Sequence, residues 1–285
     1  MTPVALQVLG SINLDLVASG APLPMAGETV TGASLARYPG GKGANQALAA
    51  RRLGANVRLI GRVGHDPFAD EALGLLRTEG VDLSQCSVDP QLPTGVALIA
   101  VSPEGENQII VASGANLGLT DIPDLGDTAL LCQLELPIDT VAKAVSVAKG
   151  FVAINLAPSL PVPDSLLIRP DLLVVNEGEA DFYGEKLHKC QGLVAVTLGA
   201  RGVVVYRQGI EVARAVPPVV AVVDTTGAGD CFFAALCLAI LEEQPLDQAL
   251  AFASTAAALA TTRPGAQTSM PFRHEVEDQL ASQNL

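Results

Sequence analysis

Sorted by polarity alone, the chain divides into two kinds of stretch. Residues 4–10 are a short apolar run closed by Gly10, which predicts a buried first strand. Residues 11–17 alternate polar and apolar, the pattern of a strand with one wet face, on which Asn13 and Asp15 point the same way. Two prolines and a glycine make 21–27 a turn, and 28–37 reads as another strand. A helix follows over 46–53, a strand over 55–63, and a helix over 68–79 that Asp66-Pro67 opens and Gly80 closes. The runs 94–101 and 107–113 flank Pro103-Glu104-Gly105-Glu106 and predict a hairpin. From Leu130 onward, short apolar strands at 130–133, 152–155, 172–175 and 194–197 alternate with helical or loop segments. That rhythm predicts an α/β fold with a doubly wound, mostly parallel sheet flanked by helices. The alternating segment and the hairpin break it and predict a small inserted β-sheet. The expected division is a body of 1–13, 38–93 and 116–285, with a β-sheet lid of 14–37 and 94–115.

Composition narrows the class. With 285 residues, 49% hydrophobic and 16% charged, the chain can bury a large core and is not disordered. No apolar stretch has membrane-spanning length without Gly, Pro or charge, and no basic flank opens the chain, so a soluble, cytoplasmic protein is expected. Cys86, Cys132, Cys190, Cys231 and Cys237 are odd in number and scattered, which fits small buried hydrophobes better than a disulfide framework or zinc site. A net charge of −13 argues against nucleic acid or an anionic membrane as partner.

The chemistry concentrates in Asp224-Thr225-Thr226-Gly227-Ala228-Gly229-Asp230, which leads into an apolar run reaching Leu241. The run predicts a buried helix starting near Ala228, and its two glycines leave the first N–H groups open to an anion. Asp230 there complements the helix dipole by about 0.3–1 kcal/mol. It can also act as a base toward a hydroxyl that attacks a bound phosphoryl group. A second glycine-rich loop, Pro39-Gly40-Gly41-Lys42-Gly43-Ala44-Asn45, is not a Walker A loop, because Gly43 stands where Ser or Thr is required. Polar residues also close several predicted strands: Glu135, Asn155, Asn176 with Glu179, and the segment 197–202. In doubly wound sheets this rim is where ligands bind. Dehydrogenase and serine-hydrolase readings fail for want of G-x-G-x-x-G and G-x-S-x-G motifs.

The two glycine-rich segments together resemble the two signatures of PfkB-type carbohydrate kinases, and within that family the ribokinase branch. Segments 10–15, 94–99, 105–107, 114–116 and 263–267 carry the same likeness, which extends from about Leu9 to Pro271. The resemblance implies a ribokinase-like fold and transfer of the ATP γ-phosphoryl group to O5 of ribose. It makes Asp230 the general base, with Gly227, Ala228 and Gly229 as the anion hole. Asn13, Leu14, Asp15, Gly41, Lys42, Gly43, Ala44, Asn45, Glu135 and Asp230 would hold the sugar, with Ala97 and Ile109 closing over it. Asn176, Thr197, Leu198, Gly199, Ala200, Arg201, Gly202, Gly229, Asp230 and Ser254 would contact ATP, and Glu179 would place Mg²⁺ through water. An activating K⁺ would sit among Asp224, Thr226, Ala260, Arg263, Gly265 and Ser269. Apart from the resemblance, the alternating strands of the lid leave an apolar face to cover, so the lid would also be the surface of a homodimer.

Two departures from the family pattern stand out. Ser254 occupies a position where relatives carry Asn or His, and 180–193 is short enough to predict a sheet face left bare beside the nucleotide. Kinases of the same family for deoxyribose, a nucleoside or a ketose share every catalytic residue. A non-catalytic sugar- or nucleotide-binding regulator is the alternative from another class.

Overall fold

The computed structural model describes residues 3–103 and 105–283, so Glu104 of the predicted hairpin turn and the ends of the predicted body lie outside the described residues. In chain order the strands are β1 (Ala5–Leu9), β2 (Asn13–Ser19), β3 (Ser34–Gly40), β4 (Asn56–Gly64), β5 (Asp82–Asp89), β6 (Gly95–Val101), β7 (Asn107–Ala112), β8 (Ala129–Cys132), β9 (Val152–Asn155), β10 (Leu172–Asn176), β11 (Leu193–Thr197), β12 (Val203–Arg207) and β13 (Ile210–Ala215). The helices are α1 (Lys42–Arg52), α2 (Pro67–Thr78), α3 (Ile138–Val147), α4 (Ser165–Ile168), α5 (Glu177–Tyr183), α6 (Ala228–Leu241), α7 (Leu246–Ala260), α8 (Ala266–Ser269) and α9 (Arg273–Gln283).

Nine strands form one sheet in the order β13-β12-β11-β10-β9-β8-β1-β4-β5, parallel from β11 to β5 and antiparallel at β12 and β13. The central strands are buried on both faces, which is why their sequences are unbroken apolar runs rather than alternating ones. One face packs on α1, α6 and α7 through residues such as Leu48, Phe233 and Leu250. The other packs on α3, α4 and α5 through Val141, Leu166 and Tyr183. The order turns back at β1, where β8 and β4 flank it on opposite sides, so the rim beyond the carboxyl end of β1 is the crevice this topology offers a ligand.

A separate four-stranded sheet, β3-β2-β6-β7, is the predicted insertion. Its edge strand β3 differs from expectation, spanning Ser34–Gly40 rather than 28–37. Pairing with β2 sets this position, since Asn13 faces Gly40 and Ser19 faces Ser34, while Gly32 at φ 92° ends any extended run before it. Asp15 lies beside Tyr38 and Ala97 in register, so Asn13, Asp15 and Ala97 share one face as the alternation predicts.

The short 180–193 segment leaves no bare sheet face. The helix α5 and the 3₁₀ turn after it bury Tyr183, Leu187 and Cys190 against Val175 and Val194. Two aromatic or aliphatic anchors on one turn each suffice where a longer crossover helix was expected.

Candidate active site

Beyond the carboxyl end of β1, chain segments approach so closely that only glycine fits. A Cβ on Gly43 would lie 2.5 Å from the Gly10 backbone, and one on Gly41 would lie 2.8 Å from the Ser11 carbonyl oxygen. Gly41 also holds φ at 88°, a left-handed conformation glycine adopts without strain, and so starts α1 at Lys42, four residues before the predicted start. A Cβ on Gly40 would fall 2.3 Å from an Asp15 carboxylate oxygen. The glycine-rich loop therefore exists to bring the α1 amino end against β1 and β2.

Three carboxylates converge there. Glu135, just past β8, accepts from the Ser11 hydroxyl at 2.5 Å and from the Lys42 backbone N–H at 3.2 Å. Asp15 is buried on β2, and burial first, then the charges of Glu135 and Asp230, push its pKa from 3.8 up to about 7. Asp230 lies in the first turn of α6, 6% exposed, and accepts from the Asn45 side-chain amide and the Gln46 side-chain amide, each at 2.9 Å. Burial opposes the Lys42 charge, yet Asp230, Glu135 and Glu179 outweigh it and hold the ammonium above its ordinary pKa. Asn13 is fixed by Asn116, whose amide donates to the Asn13 side-chain oxygen at 2.8 Å. Asn116 also exchanges hydrogen bonds with the Ile12 backbone at 2.9 and 3.2 Å. The predicted sugar residues Asn13, Asp15, Gly41 through Asn45, Glu135 and Asp230 thus form one cluster. Ala97 lies on the same sheet face and is buried, whereas Ile109, two strands away, is exposed. Leu14 is buried on the opposite face of β2 and contributes backbone only.

The second predicted loop meets the cluster at Asp230. Gly227 is left-handed at φ 79° and caps α6, which begins at Ala228 as expected. Gly229 is exposed, and beyond its own helix backbone a Cβ there would have no protein atom within 4 Å. The Ala228 N–H is taken by the Thr225 carbonyl at 3.3 Å, so the open space faces the N–H groups of Gly229 and Asp230 that follow it, a cradle shaped for an anion.

The predicted nucleotide residues lie along the rim from that cradle. Asn176 caps α5 by accepting from Glu179 N–H at 2.9 Å, and Glu179 returns the bond by accepting from Asn176 N–H at 2.8 Å. Burial raises the Glu179 pKa in spite of that bond and of Lys42. Leu198 N–H to the Gly202 carbonyl, at 2.7 Å, folds 198–202 into a tight turn whose Gly199, Ala200 and Arg201 are exposed. The Thr197 hydroxyl is tied to the Val175 carbonyl at 3.3 Å, and Arg201 pairs with Glu177. Ser254 is buried in α7.

Asp224 ties the two loops behind the cradle. It accepts from Thr226 N–H and hydroxyl at 2.9 and 2.7 Å and from Gly265 N–H at 2.8 Å. Those bonds outweigh its burial and hold its pKa below the ordinary value. Val223 and Asp224 N–H groups donate to the Thr261 carbonyl next to Ala260 at 2.8 and 3.1 Å. Arg263 turns its side chain out to Glu275, and the Ser269 hydroxyl donates to the Ala266 carbonyl at 2.9 Å, so these residues face inward with backbone only or not at all.

Gln46 and Gln133 are part of this site and were not singled out from sequence. The signal available was weak: Gln46 follows Asn45 directly, and Gln133 is a polar residue inside an apolar strand run.

The chain matches the pfkB family of carbohydrate kinases over residues 5–273. It is 38% identical to a ribokinase of Haemophilus influenzae, over 95% of this chain and 96% of that one. It is 37% identical to a ribokinase of Bacillus subtilis, over 96% and 98% respectively. Among solved structures, a ribokinase of Thermotoga maritima superposes with a TM-score of 0.87 at 32% identity, covering 98% of this chain and 99% of that one. An Arabidopsis thaliana ribokinase complexed with ribose and ATP does so with a TM-score of 0.85 at 32% identity, with the same coverage. On the fold, the two glycine-rich loops and these matches, the chain belongs to the pfkB family of carbohydrate kinases, enzymes that phosphorylate an alcohol group.

Proposed function

We propose that this kinase transfers the γ-phosphoryl group of ATP to O5 of D-ribose, giving ribose 5-phosphate, with Asp230 as general base. The observation that carries the reading is the position of Asp230: a carboxylate held by two amides at the mouth of an anion cradle, beside a cluster of hydroxyl acceptors. A polyol presents adjacent O–H donors, and Asp15 and Glu135 supply acceptors that can take them in pairs. Asn13 and Asn45 add amides that both donate and accept. The substrate assignment is supported by full-length likeness to proteins named ribokinase, one of them solved with ribose and ATP.

Chemistry at this site is positioning and charge. Asp230 accepts the proton as the acceptor oxygen attacks; the N–H groups around Gly227, Ala228 and Gly229 stabilise charge developing on the transferring group. Lys42 adds a positive charge among the carboxylates. The 176–202 rim is the nucleotide side. Mg²⁺ bound to ATP would neutralise phosphate charge. Among the described residues no cluster of three His, Cys, Asp or Glu could hold an ion alone, which fits a metal that keeps its waters and needs only Glu179. K⁺ between the 223–226 and 261–265 loops would add positive charge behind the cradle; carbonyl groups held there by the Asp224 bonds suit a hard cation.

The small sheet is in this reading both lid and dimer surface. Leu35, Leu98 and Ile110 are exposed on one of its faces and Ile109 and Val111 on the other. That much apolar surface on a four-stranded sheet calls for a partner copy. A monomeric mass at micromolar concentration would rule the dimer out.

The test is ATP consumption by the purified protein with D-ribose, deoxyribose, fructose and adenosine, each with K⁺ and with Na⁺. Ribose-dependent turnover is expected to exceed the others. Faster turnover with another acceptor would keep the Asp230 chemistry and overturn the substrate. No turnover with any would favour a binding protein.

A further inference from the structure

Asp230 is gripped by a chain of neutral amides that runs back from it through Gln46 to Gln133. Gln46 is fully buried on α1, and its Nε2 donates to Asp230 Oδ1 at 2.9 Å. Its Oε1 accepts from Gln133 Nε2 at 2.6 Å, and Gln133, just past β8, is also fully buried. The polarity of this chain has one solution. An ionised carboxylate only accepts, so Gln46 must aim its NH₂ at Asp230 and its carbonyl at Gln133, which must then aim its own NH₂ back. Turning Gln133 over would set two carbonyl oxygens against each other. The cost is visible at the far end, where Gln133 Oε1 is buried with no partner. Gly10 makes the slot for that oxygen, since a Cβ there would lie 2.1 Å from it.

We propose that Gln46, seated by Gln133, is a positioning residue that keeps the Asp230 carboxylate aimed at the acceptor hydroxyl. Two buried glutamines with an orphaned oxygen are costly in a core, and apolar residues of the same size would fill it without that cost. What the amides supply is a donor that does not quench the base. An Arg or Lys in their place would form an ion pair and weaken the carboxylate as a proton acceptor. The Gln133 bond polarises the Gln46 amide and strengthens its N–H toward Asp230. Asn45, which grips the other oxygen, belongs to the predicted sugar contacts, whereas Gln46 has no exposed surface with which to touch substrate. Gln46 is therefore the grip that persists through turnover.

The inference rests on Asp230 being the base and not on which sugar is taken. The charged groups whose fields couple to Asp230 are Asp15 from β2, Lys42 from α1 and Glu179 from α5. None changes in the variants that follow. Gln46→Leu and Gln133→Met each remove the N–H and keep the volume. The readouts are kcat and KM for the best accepted sugar with saturating ATP. In Gln46→Leu, kcat is expected to fall about 10- to 100-fold with sugar KM within about twofold. Gln133→Met is expected to lower kcat in the same way by a smaller amount, and Gln46→Asn to restore part of the loss. If Gln46→Leu does not fold, Gln133→Met and Gln46→Asn carry the test. A kcat unchanged in every variant that folds, or a loss that appears in sugar KM instead of kcat, overturns the proposal. Asp230→Asn run alongside separates the two levels: if it retains full turnover, the base assignment itself is wrong. If it is dead while the glutamine variants match the wild type, only the relay fails.

Discussion

Asp15→Asn removes one of the three carboxylates that crowd the sugar cluster, and the structure says what that crowding costs. In the folded protein without sugar, burial together with Glu135 and Asp230 moves the Asp15 pKa from 3.8 to about 7. The sign follows directly. An acid whose pKa is raised by folding holds its proton more tightly in the folded state, so stability falls as pH rises from 3.8 to about 7. Above that window the full penalty applies. Three units at about 1.4 kcal/mol each make it roughly 4 kcal/mol at pH 8. At pH 4.5 the folded protein has Asp15 protonated, and the difference shrinks to about 1 kcal/mol. Asparagine keeps the shape and removes the titration. A chain of this length unfolds with an entropy near 2 cal/mol/K per residue, so 4 kcal/mol corresponds to a rise in Tm of roughly 5–7 °C.

The assay is a melting curve of wild type and Asp15→Asn at half-unit steps from pH 4.5 to 8, without sugar. The variant is expected to melt several degrees higher at pH 8 and close to wild type at pH 4.5. It should nevertheless bind ribose at least tenfold more weakly at pH 8, because sugar hydroxyls donate to the carboxylate and favour its ionised form. Parallel Tm–pH curves would refute the electrostatic reasoning and leave Asp15 as an ordinary hydrogen-bonding residue.

Other expectations are independent of that one. Asp230→Asn should lower kcat by roughly 10²–10⁴ with little change in either KM, measured by coupled ATP consumption. Gly229→Ala places a methyl where, beyond its own helix backbone, no protein atom lies within 4 Å, so Tm should hold or rise while kcat/KM falls at least tenfold. A variant with normal kcat/KM would mean that the space before Gly229 is not the phosphoryl cradle. Gly41→Ala, at φ 88° and with its Cβ 2.8 Å from the Ser11 carbonyl oxygen, should destabilise by about 1–3 kcal/mol in urea titrations. Asp224→Ala releases Gly265 and Thr226 and should flatten the response of turnover to K⁺ over Na⁺, readable from initial rates in the two salts.

How far the sequence showed this in advance depends on where each residue gets its instructions. The start of α6 at Ala228 is written locally: two glycines, then an apolar run with nothing to interrupt it. The strands β8 to β10 are equally plain, because strands buried on both faces are largely apolar. At the sheet edges the same reasoning weakens. β5 and the β12–β13 hairpin went unmarked; edge strands are half-exposed and carry polar residues that resemble loop, although Gln208-Gly209 between two β-branched runs was a usable hairpin signal. β3 was placed early because its ends are set by pairing with β2 and not by its own pattern. The site divides on the same principle. The residues proposed to meet substrate could be named where a glycine signature marks the loop, as at 40–45 and 227–230. Gln46 and Gln133 could not, since a glutamine on a helix reads as solvent-facing until a second one, 87 positions away, is found holding it against Asp230. A buried polar network has no local signature, because each member is ordinary and only the juxtaposition is costly. The residues that tune a catalytic group are for that reason harder to read from one sequence than the group they tune.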